Sequence, residues 1–159
     1  MRNEDSIDKN QGGSDQSPLR ARILVVEDDT ALREITSRIL DAAGYDVECA
    51  EDGEAAWNAL RCQHYELIIT DNNMPKVTGI DLLHLPHSAR IETPVILMSG
   101  QLPTDQLKRS PELHIEAIII KPYTESGLLT VVSNVLHGLV MGGVSGVLSH
   151  KQSVQRLKA

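Results

Sequence analysis

The stretch "LIITDNNMP", residues 67–75, runs from a short apolar segment directly into an aspartate and then into residues typical of turns. A continuous apolar run of this length predicts a buried strand, and asparagine and proline favour a turn directly after it. Asp71 is therefore predicted at the tip of a buried strand, where the chain changes direction. A carboxylate in that position needs a chemical reason, and the rest of the sequence supplies one.

The segments on either side alternate between strand and helix patterns. The predicted strands are residues 22–26, 45–50, 66–70, 94–98 and 116–121, and the predicted helices are residues 30–43, 53–63, 77–85 and 103–110 and a last one that begins after Thr124. Four of the five strands are nearly continuous apolar runs, the pattern of strands covered by helices on both faces. The alternation therefore predicts an α/β fold, a doubly wound five-stranded parallel sheet with helices on both faces.

Side chains able to accept hydrogen bonds from backbone amides stand before three of these helices. They are Asp29, Asp52 and Thr124. We predict that each is the N-cap of the helix that follows it. In the first helix, Leu32, Ile35 and Ile39 recur at helical spacing and are predicted to face the core.

Residues 21–138 form the predicted globular domain, which lies between two tails. Residues 1–20 are predicted to be a disordered tail, because they cannot bury enough apolar surface to offset the entropy of ordering. Residues 139–159 are predicted to be a second, flexible tail that is partly helical, since Val147, Val154 and Leu157 fit one helical face. No second folded domain is expected.

Composition and charge argue against several classes of function. The 159 residues carry a formal net charge of −7, whereas non-specific nucleic-acid binding needs a basic surface. The sequence has neither the apolar core of a secretion signal nor a run long enough to span a bilayer, so we expect a cytoplasmic protein without membrane contact. Cys49 and Cys62 lack metal-ligand or CxxC spacing and are predicted to be free thiols.

Chemically useful side chains follow the predicted strands at one end. They are Glu27 and Asp28 after the first strand, Asp71 after the third, Ser99 after the fourth and Lys121 at the end of the fifth. The carboxyl ends of parallel strands meet at one edge of the sheet, where α/β proteins bind their ligands. We therefore expect these side chains to converge on one site.

Carboxylates crowded at one edge repel one another unless a proton or a cation neutralises them. An all-oxygen cluster with few protein ligands suits Mg²⁺, which keeps several of its waters. Asp28 and Asp71 are the predicted direct ligands of this ion. Glu27 is predicted to act through water, and the backbone carbonyl of Asn73 to complete the protein's share.

A carboxylate beside Mg²⁺ and an ammonium group is able to attack a phosphoryl group in line. Asp71 is the predicted nucleophile, Lys121 would neutralise the developing charge on oxygen, and the Ser99 hydroxyl would hydrogen-bond a phosphoryl oxygen. The product would be an aspartyl phosphate at Asp71. This chemistry explains why a buried strand ends in a carboxylate.

Four segments together resemble the response-regulator receiver family of two-component signalling. They are "ILVVEDD" (23–29), "LIITDNNMPKVTGIDLL" (67–83), "PVILMSG" (94–100) and "IIIKP" (118–122). The resemblance covers residues 21–138 and depends on the whole set in order, not on one motif. It implies a flavodoxin-like (βα)5 fold with strand order 2-1-3-4-5.

The resemblance also implies roles for individual residues. By this resemblance, Asp71 would be the phosphoacceptor, Glu27 and Asp28 the acidic pair, and Ser99 the switch hydroxyl. Lys121 would be the family's invariant-type lysine, followed by a cis-prone Pro122. Asn73 and Gln101 would flank the site and tune hydrolysis of the phosphoryl group, and Gly100 would give that group access.

The implied phosphoryl donor is a phosphohistidine on a sensor histidine kinase or a histidine phosphotransfer protein. No DNA-binding or catalytic output segment follows in this sequence, so a stand-alone module is expected, with no enzyme activity beyond its own phosphorylation and dephosphorylation. The signal would leave through protein contacts, as a relay step or through a surface on helix 4, strand 5 and helix 5. A homodimer, if one forms, would use that same surface.

Ile118 departs from the family pattern. Three residues before the lysine the family usually carries Tyr or Phe, which rotates inward on activation, and isoleucine has neither a ring nor a hydroxyl to reposition. Signalling through an aromatic rotation is therefore not expected here. Tyr123, just after Pro122, is predicted to lie on the surface.

Two alternative functions stay open at this point. One is a phosphorylation-independent protein-interaction module that retains the receiver fold, which Ile118 favours. The other is an aspartyl-phosphate hydrolase of the haloacid-dehalogenase kind. Those enzymes usually carry D-x-D-x-T/V after the first strand, whereas "DNNMPKV" (71–77) follows the third strand and lacks the second aspartate. The phosphoacceptor is the function that the residues favour.

Overall fold

The computed structural model describes residues 20–75, 78–84, 93–109 and 115–138 and the backbone of residues 147–148. The strands are Arg22–Val26 (β1), Asp46–Ala50 (β2), Leu67–Asp71 (β3), Val95–Ser99 (β4), Ile115–Ile120 (β5) and Val147–Leu148 (β6). The helices are Thr30–Ala42 (α1), Gly53–Cys62 (α2), Gly79–Leu83 (α3), Thr104–Arg109 (α4) and Glu125–Leu136 (α5). Every predicted strand and helix is present, with ends that differ by a few residues.

The first five strands lie in the order β2-β1-β3-β4-β5, and every strand pair that the described residues form is parallel. The predicted α/β fold and its strand order are therefore confirmed. Val26 of β1 pairs with Thr70 of β3, and Asp71 pairs with Met98 of β4. This register brings the carboxyl ends of β1, β3 and β4 to one edge, so the residues that follow them lie side by side.

A short sixth strand extends the sheet beyond β5. Val147 and Leu148 pair in parallel with Ile118 and Ile119 of β5. The placement of Val147 on a helical face is therefore wrong. The outer edge of β5 offers backbone groups to pair, and a β-branched valine favours the extended conformation that pairs with them. The other predictions for the two tails concern residues outside the described ranges.

Helices cover both faces of the sheet. On one face, α1 and α5 pack over a cluster that includes Ile23, Leu40 and Val132. On the other face, α2 and α3 pack over a second cluster, and Leu107 of α4 packs against a third one that contains Ile118. Because both faces are covered, every residue of β3 and β4 is buried, as the continuous apolar runs predicted.

The three predicted N-caps are confirmed, and they fix where their helices begin. Asp29 and Asp52 accept hydrogen bonds from amides in the first turns of α1 and α2, at 2.9 and 2.8 Å. Thr124 does the same for α5, at 3.1 Å. Each side chain satisfies an amide that has no partner within its own helix.

The predicted inward face of α1 is wrong at one position. Ile35 is 53% exposed, whereas Thr36 and Leu40 are buried. Thr36 tolerates burial because its hydroxyl donates to the Leu32 carbonyl oxygen at 2.8 Å. The helix therefore turns a threonine, and not the neighbouring isoleucine, toward the sheet.

The cysteines and the hydropathy of the helices bear on two further predictions. Cys49 and Cys62 are exposed free thiols, as predicted. Among the helices of the described segments, none combines the length and the apolar character that a bilayer crossing requires.

Candidate functional site

Lys121 lies at the centre of the carboxyl edge of the sheet. Its Nζ is 2.8 Å from Glu27 Oε2 and 2.9 Å from Asp71 Oδ2. The Lys121 side chain is 20% exposed, and those of Glu27 and Asp71 are 1% and 5% exposed. Charge-assisted contacts thus connect the ends of β1, β3 and β5 in a place largely shielded from water, where they are stronger than at the surface.

The end of β5 holds Lys121 beside β4. The Lys121 N–H donates to the Ser99 carbonyl oxygen at 2.8 Å, which continues the pairing of the two strands. The peptide bond to Pro122 is cis, as the family resemblance implied. Because β4 lies between β5 and β3, the lysine side chain reaches across the end of β4 to meet the acids.

Glu27, Asp28 and Asp71 form an acidic cluster beside this amine. One carboxylate oxygen from each lies within 4.8 Å of the others. Glu27 and Asp71 are buried, whereas Asp28 is exposed. Three carboxylates and one ammonium leave an excess of negative charge, which a hydrated divalent cation would neutralise. The donor set therefore fits Mg²⁺, with Asp28 on the side open to solvent.

The environment shifts the pKa of both Glu27 and Lys121. Burial raises the pKa of the Glu27 carboxyl, and the charge of Asp71 adds to the rise, so the hydrogen bond from Lys121 only partly offsets it. Burial alone would lower the pKa of the Lys121 ammonium, but its hydrogen bonds to Glu27 and Asp71 outweigh that effect and raise it. The lysine is therefore protonated at neutral pH, while the charge on Glu27 is costly to hold.

The turn after Asp71 is built around its carboxylate and its backbone. Asp71 Oδ1 accepts a hydrogen bond from the Asn73 N–H at 3.2 Å, and the Asn72 N–H donates to the Met98 carbonyl oxygen at 2.8 Å. Gly79 begins α3 directly against β3. A Cβ at Gly79 would lie 2.5 Å from the Asp71 carbonyl oxygen, closer than real atoms approach. The glycine therefore lets α3 come closer to the acceptor strand than any side chain would allow.

Ser99 ends β4 beside an open pocket of about 510 Å³. The serine is 1% exposed, and Asn73 and Gln101 line the same pocket. A Cβ at Gly100 would meet only Asn73 Nδ2, at 3.7 Å, which is ordinary contact. The structure thus brings the predicted site residues Asn73, Ser99 and Gln101 together beside the turn that follows Asp71.

Arg33, which is not among the predicted site residues, supports the acidic pair. Its guanidinium donates to the Glu27 carbonyl oxygen at 2.6 Å and to that of Asp28 at 3.4 Å. Arg33 therefore fixes the backbone that carries both carboxylates. A cation in the first turn of a helix opposes the helix dipole, and this unfavourable placement is the sequence signal that indicates another role.

Tyr123 is half-buried, which corrects the prediction that it lies on the surface. Its hydroxyl is 2.8 Å from Thr36 Oγ1, and its ring packs against the cluster under α1 and α5. Since the Thr36 hydroxyl gives its one proton to the Leu32 carbonyl, Tyr123 is the donor in this contact. Burial raises the pKa of the Tyr123 hydroxyl. The contact ties the loop after Lys121 to the helix that follows the acidic pair.

Comparison with known proteins identifies the family to which this geometry belongs. Residues 23–133 match the model of the response regulator receiver domain. The chain belongs to the response regulator receiver family. This receiver is thus a signalling module by family, and its acidic cluster, Ser99 and Lys121 all lie inside the matched range.

Two curated relatives carry similar receivers within longer chains. This receiver is 42% identical over 88 residues to the 3',5'-cyclic-nucleotide phosphodiesterase regA of Dictyostelium discoideum, a match that covers 53% of this chain and 11% of that protein. It is 32% identical over 124 residues to the response regulator protein FleR of Pseudomonas aeruginosa, covering 78% of this chain and 26% of FleR. The chain therefore spans about a tenth and a quarter of these relatives' lengths.

Solved receivers share the fold along almost their whole length. The CheY-like receiver domain protein of Methanospirillum hungatei JF-1 superposes with a TM-score of 0.69 at 28% identity, covering 75% of this chain and 95% of that one. The chemotaxis response regulator CheY4 of Vibrio cholerae superposes with a TM-score of 0.64 at 26% identity, covering 73% of this chain and 98% of that one. This chain therefore matches nearly the whole of both solved receivers.

Proposed function

We propose that this receiver accepts a phosphoryl group on Asp71 from a phosphohistidine, carried by a sensor histidine kinase or a histidine phosphotransfer protein. The observation that supports it most is the 2.9 Å contact between Lys121 Nζ and Asp71 Oδ2, inside a cluster of three carboxylates. A buried lysine beside one buried acid would be a structural ion pair. Two further acids, Glu27 and the exposed Asp28, make the arrangement suited to charge neutralisation during phosphoryl transfer.

In the proposed reaction a carboxylate oxygen of Asp71 bonds to phosphorus while the phosphorus–nitrogen bond of the donor breaks. The imidazole nitrogen keeps the electron pair of the broken bond, and the product is an acyl phosphate on Asp71. The Lys121 ammonium, 2.9 Å from Asp71 Oδ2, lies where it is able to offset the negative charge of the incoming phosphoryl oxygens. Ser99, at the end of the neighbouring strand, is proposed to hydrogen-bond a phosphoryl oxygen.

Asp28 and Asp71 are the proposed direct ligands of Mg²⁺, with Glu27 acting through water and the Asn73 backbone carbonyl completing the protein's share. When bound, this ion supplies positive charge that offsets the repulsion between the carboxylates and an incoming phosphoryl group. Glu27 contributes the buried charge that orients Lys121, through their 2.8 Å contact. Asp28 leaves the site open to the donor, because it is the exposed member of the cluster.

The output of the proposed switch is a protein contact. The surface on α4, β5 and α5 is the proposed one, for a downstream protein or for a homodimer. Because β6 already pairs with β5, a partner on this surface would contact the helices and not the edge of the sheet. The proposal includes no enzyme activity beyond self-phosphorylation and self-dephosphorylation, and the expected cytoplasmic location stays a prediction.

The test is covalent labelling of the purified chain by acetyl phosphate with Mg²⁺, followed by intact-mass and peptide mass spectrometry. We expect a mass gain of one phosphoryl group on the peptide that contains Asp71, and its loss in Asp71→Asn. Asp41→Asn is the matched control, because Asp41 is an exposed acid near the end of α1. Labelling that persists in Asp71→Asn refutes the proposal. Turnover of a small phosphomonoester that Asp71→Asn abolishes would favour the hydrolase instead.

A second candidate is a phosphorylation-independent interaction module. The observation that favours it is Ile118, which is fully buried in an aliphatic cluster with Ile80, Leu97 and Ile115. This position therefore holds no ring that moves between buried and exposed states. A partner that binds labelled and unlabelled protein with equal affinity would support this candidate, and a difference in affinity would exclude it.

A further inference from the structure

Asn72 is a buried amide in the position directly after the acceptor. The residue is 4% exposed. Its side-chain Nδ2 donates to Gln106 Oε1 of α4 at 2.7 Å, and its Oδ1 accepts a hydrogen bond from the Ile80 N–H of α3 at 3.4 Å. One side chain therefore connects the end of β3 with both short helices on that face of the sheet.

Burial alone does not explain an asparagine at this place. A buried amide costs free energy unless both of its ends are hydrogen-bonded, and an apolar residue would fill the same space without that requirement. Here both ends are engaged, and each partner lies on a different element. The residue type therefore selects particular partners, of which Gln106 is the more distant in sequence and the more closely bonded.

The peptide group between Asn72 and Asn73 is in direct contact with the acceptor carboxylate. Its N–H, that of Asn73, donates to Asp71 Oδ1 at 3.2 Å. On the other side, the Asn72 N–H is fixed to β4 through the Met98 carbonyl oxygen. A phosphoryl group on Asp71 would change the charge and position of the acceptor oxygens, so this peptide group would turn about a fixed neighbour. The Asn72 side chain, attached to that same residue, would move with it.

Helix α4 is packed weakly enough to move with the Asn72 side chain. None of its six described residues is buried. Leu107 is partly buried against the cluster that contains Ile118, and Gln106 is bonded to Asn72. With so little apolar burial, one hydrogen bond is a sizeable share of what positions the helix.

We propose that the Asn72–Gln106 hydrogen bond is the link through which the phosphorylation state of Asp71 sets the position of α4. Both residues are positioning residues, and neither touches the phosphoryl group. The link couples phosphorylation to α4 in place of an aromatic ring at the position of Ile118. It rests on the proposed function, because it needs Asp71 to be the acceptor.

The experiment compares labelled and unlabelled protein by heteronuclear NMR of the backbone amides of residues 104–109. The variants are Gln106→Met, which keeps the side-chain length but removes the amide acceptor, and Asn72→Leu, which keeps the volume but removes the donor. Lys108→Met is the matched control, because Lys108 is exposed on the same helix. Labelling is first measured by mass in each protein, so that each spectral comparison is made on protein of known labelled fraction.

We expect labelling to shift the α4 amides in the wild type and in Lys108→Met, and to leave them unshifted in Gln106→Met. Asn72→Leu and the double variant should match Gln106→Met, since each breaks the same link. If Asn72→Leu fails to fold, Gln106→Met alone decides, because Gln106 is only half-buried. Equal shifts in the wild type and Gln106→Met overturn this inference while leaving the acceptor intact. A wild-type protein that takes up no phosphoryl group at Asp71 overturns the proposed function itself.

Discussion

The helices on the two faces of the sheet are built differently. α1 and α5 have 13 and 12 residues, and both bury side chains in the core. α3 and α4 have 5 and 6 residues, and none of those described in α4 is buried. The long helices and their loops carry the supports of the site, Arg33 and Tyr123, whereas the short ones meet the turn after Asp71 through Gly79 and Gln106.

The difference in burial has an energetic consequence. α5 buries Leu128, Val131, Val132 and Val135, and a fully buried aliphatic side chain contributes about 1.5–3 kcal/mol. In α4, only Leu107 and Gln106 are even partly buried, so the stabilisation from apolar burial is much smaller. Moving α5 would therefore cost far more than moving α4. The comparison teaches that the long helices hold the chemical groups in place, and that α4 is the helix free to respond to them.

The largest effect is expected at Lys121, which contacts the acceptor and precedes the loop that Tyr123 ties to α1. Lys121→Met keeps the apolar stem and removes the ammonium that contacts Glu27 and Asp71. Loss of a preorganised electrostatic stabiliser typically costs on the order of 100- to 1,000-fold in rate, so we expect labelling by acetyl phosphate to slow by about that factor. Time courses of intact mass measure it. Lys108→Met, on the short helix α4, is the control, and equal rates in the two variants would remove Lys121 from the reaction.

The next effect is expected where the short helix α3 touches β3 most closely. Gly79→Ala places a Cβ 2.5 Å from the Asp71 carbonyl oxygen, so α3 must shift. We expect the free energy of unfolding to fall by on the order of 3 kcal/mol, the upper range for overpacking, as measured by urea titration. Gly100→Ala is the matched control, because its Cβ would make only an ordinary contact. Equal loss in both variants would mean that the close approach of α3 is not what Gly79 provides.

Mg²⁺ is expected to stabilise the folded protein, because it relieves repulsion among Glu27, Asp28 and Asp71. Mass action predicts an increase in the free energy of unfolding of about 1.4 kcal/mol at ten times the Kd of the ion. Thermal unfolding with and without millimolar Mg²⁺ measures it. Asp28→Asn should weaken the effect and Asp41→Asn should not. A Tm that is indifferent to Mg²⁺ in the wild type would contradict the metal assignment.

The smallest effect is expected beside the long helices α1 and α5, at Tyr123. Tyr123→Phe removes the hydroxyl bonded to Thr36 and leaves the ring in the core. A net hydrogen bond is worth about 1 kcal/mol, so urea unfolding should show a loss of about that size. A double-mutant cycle with Thr36→Val isolates the contact, because Tyr123→Phe should cost less once the threonine hydroxyl is absent. Strict additivity of the two losses would show that the hydroxyls do not interact.

Local patterns explain why much of the fold is predictable from the sequence. The apolar runs of β3 and β4 and the capping residues Asp29, Asp52 and Thr124 are signals carried by a few adjacent residues. The convergence of the acids and Lys121 also follows from the sequence, because parallel strands bring their carboxyl ends to one edge. These signals are readable without knowing which side chain a distant element presents.

Two predictions are wrong because a polar side chain has a partner far along the chain or in the preceding turn. Ile35 looks like the core residue of α1, yet Thr36 takes that place because the Leu32 carbonyl satisfies its hydroxyl. Tyr123 looks like a surface residue, yet its hydroxyl reaches Thr36. The apolar periodicity of a sequence does not reveal such partners, because it assigns every hydroxyl-bearing residue to the solvent-exposed side.

By itself, the sequence determines the alternating strands and helices, the helix starts and the edge at which the acids and the lysine meet. Each of these depends on periodicity or on neighbours within a few residues. Only the tertiary structure decided that Tyr123 bonds Thr36, 87 positions away, that Asn72 reaches Gln106, 34 positions away, and that Val147 adds a strand to β5. Those contacts depend on how packed elements approach one another, and local sequence patterns carry no information about which distant residues meet.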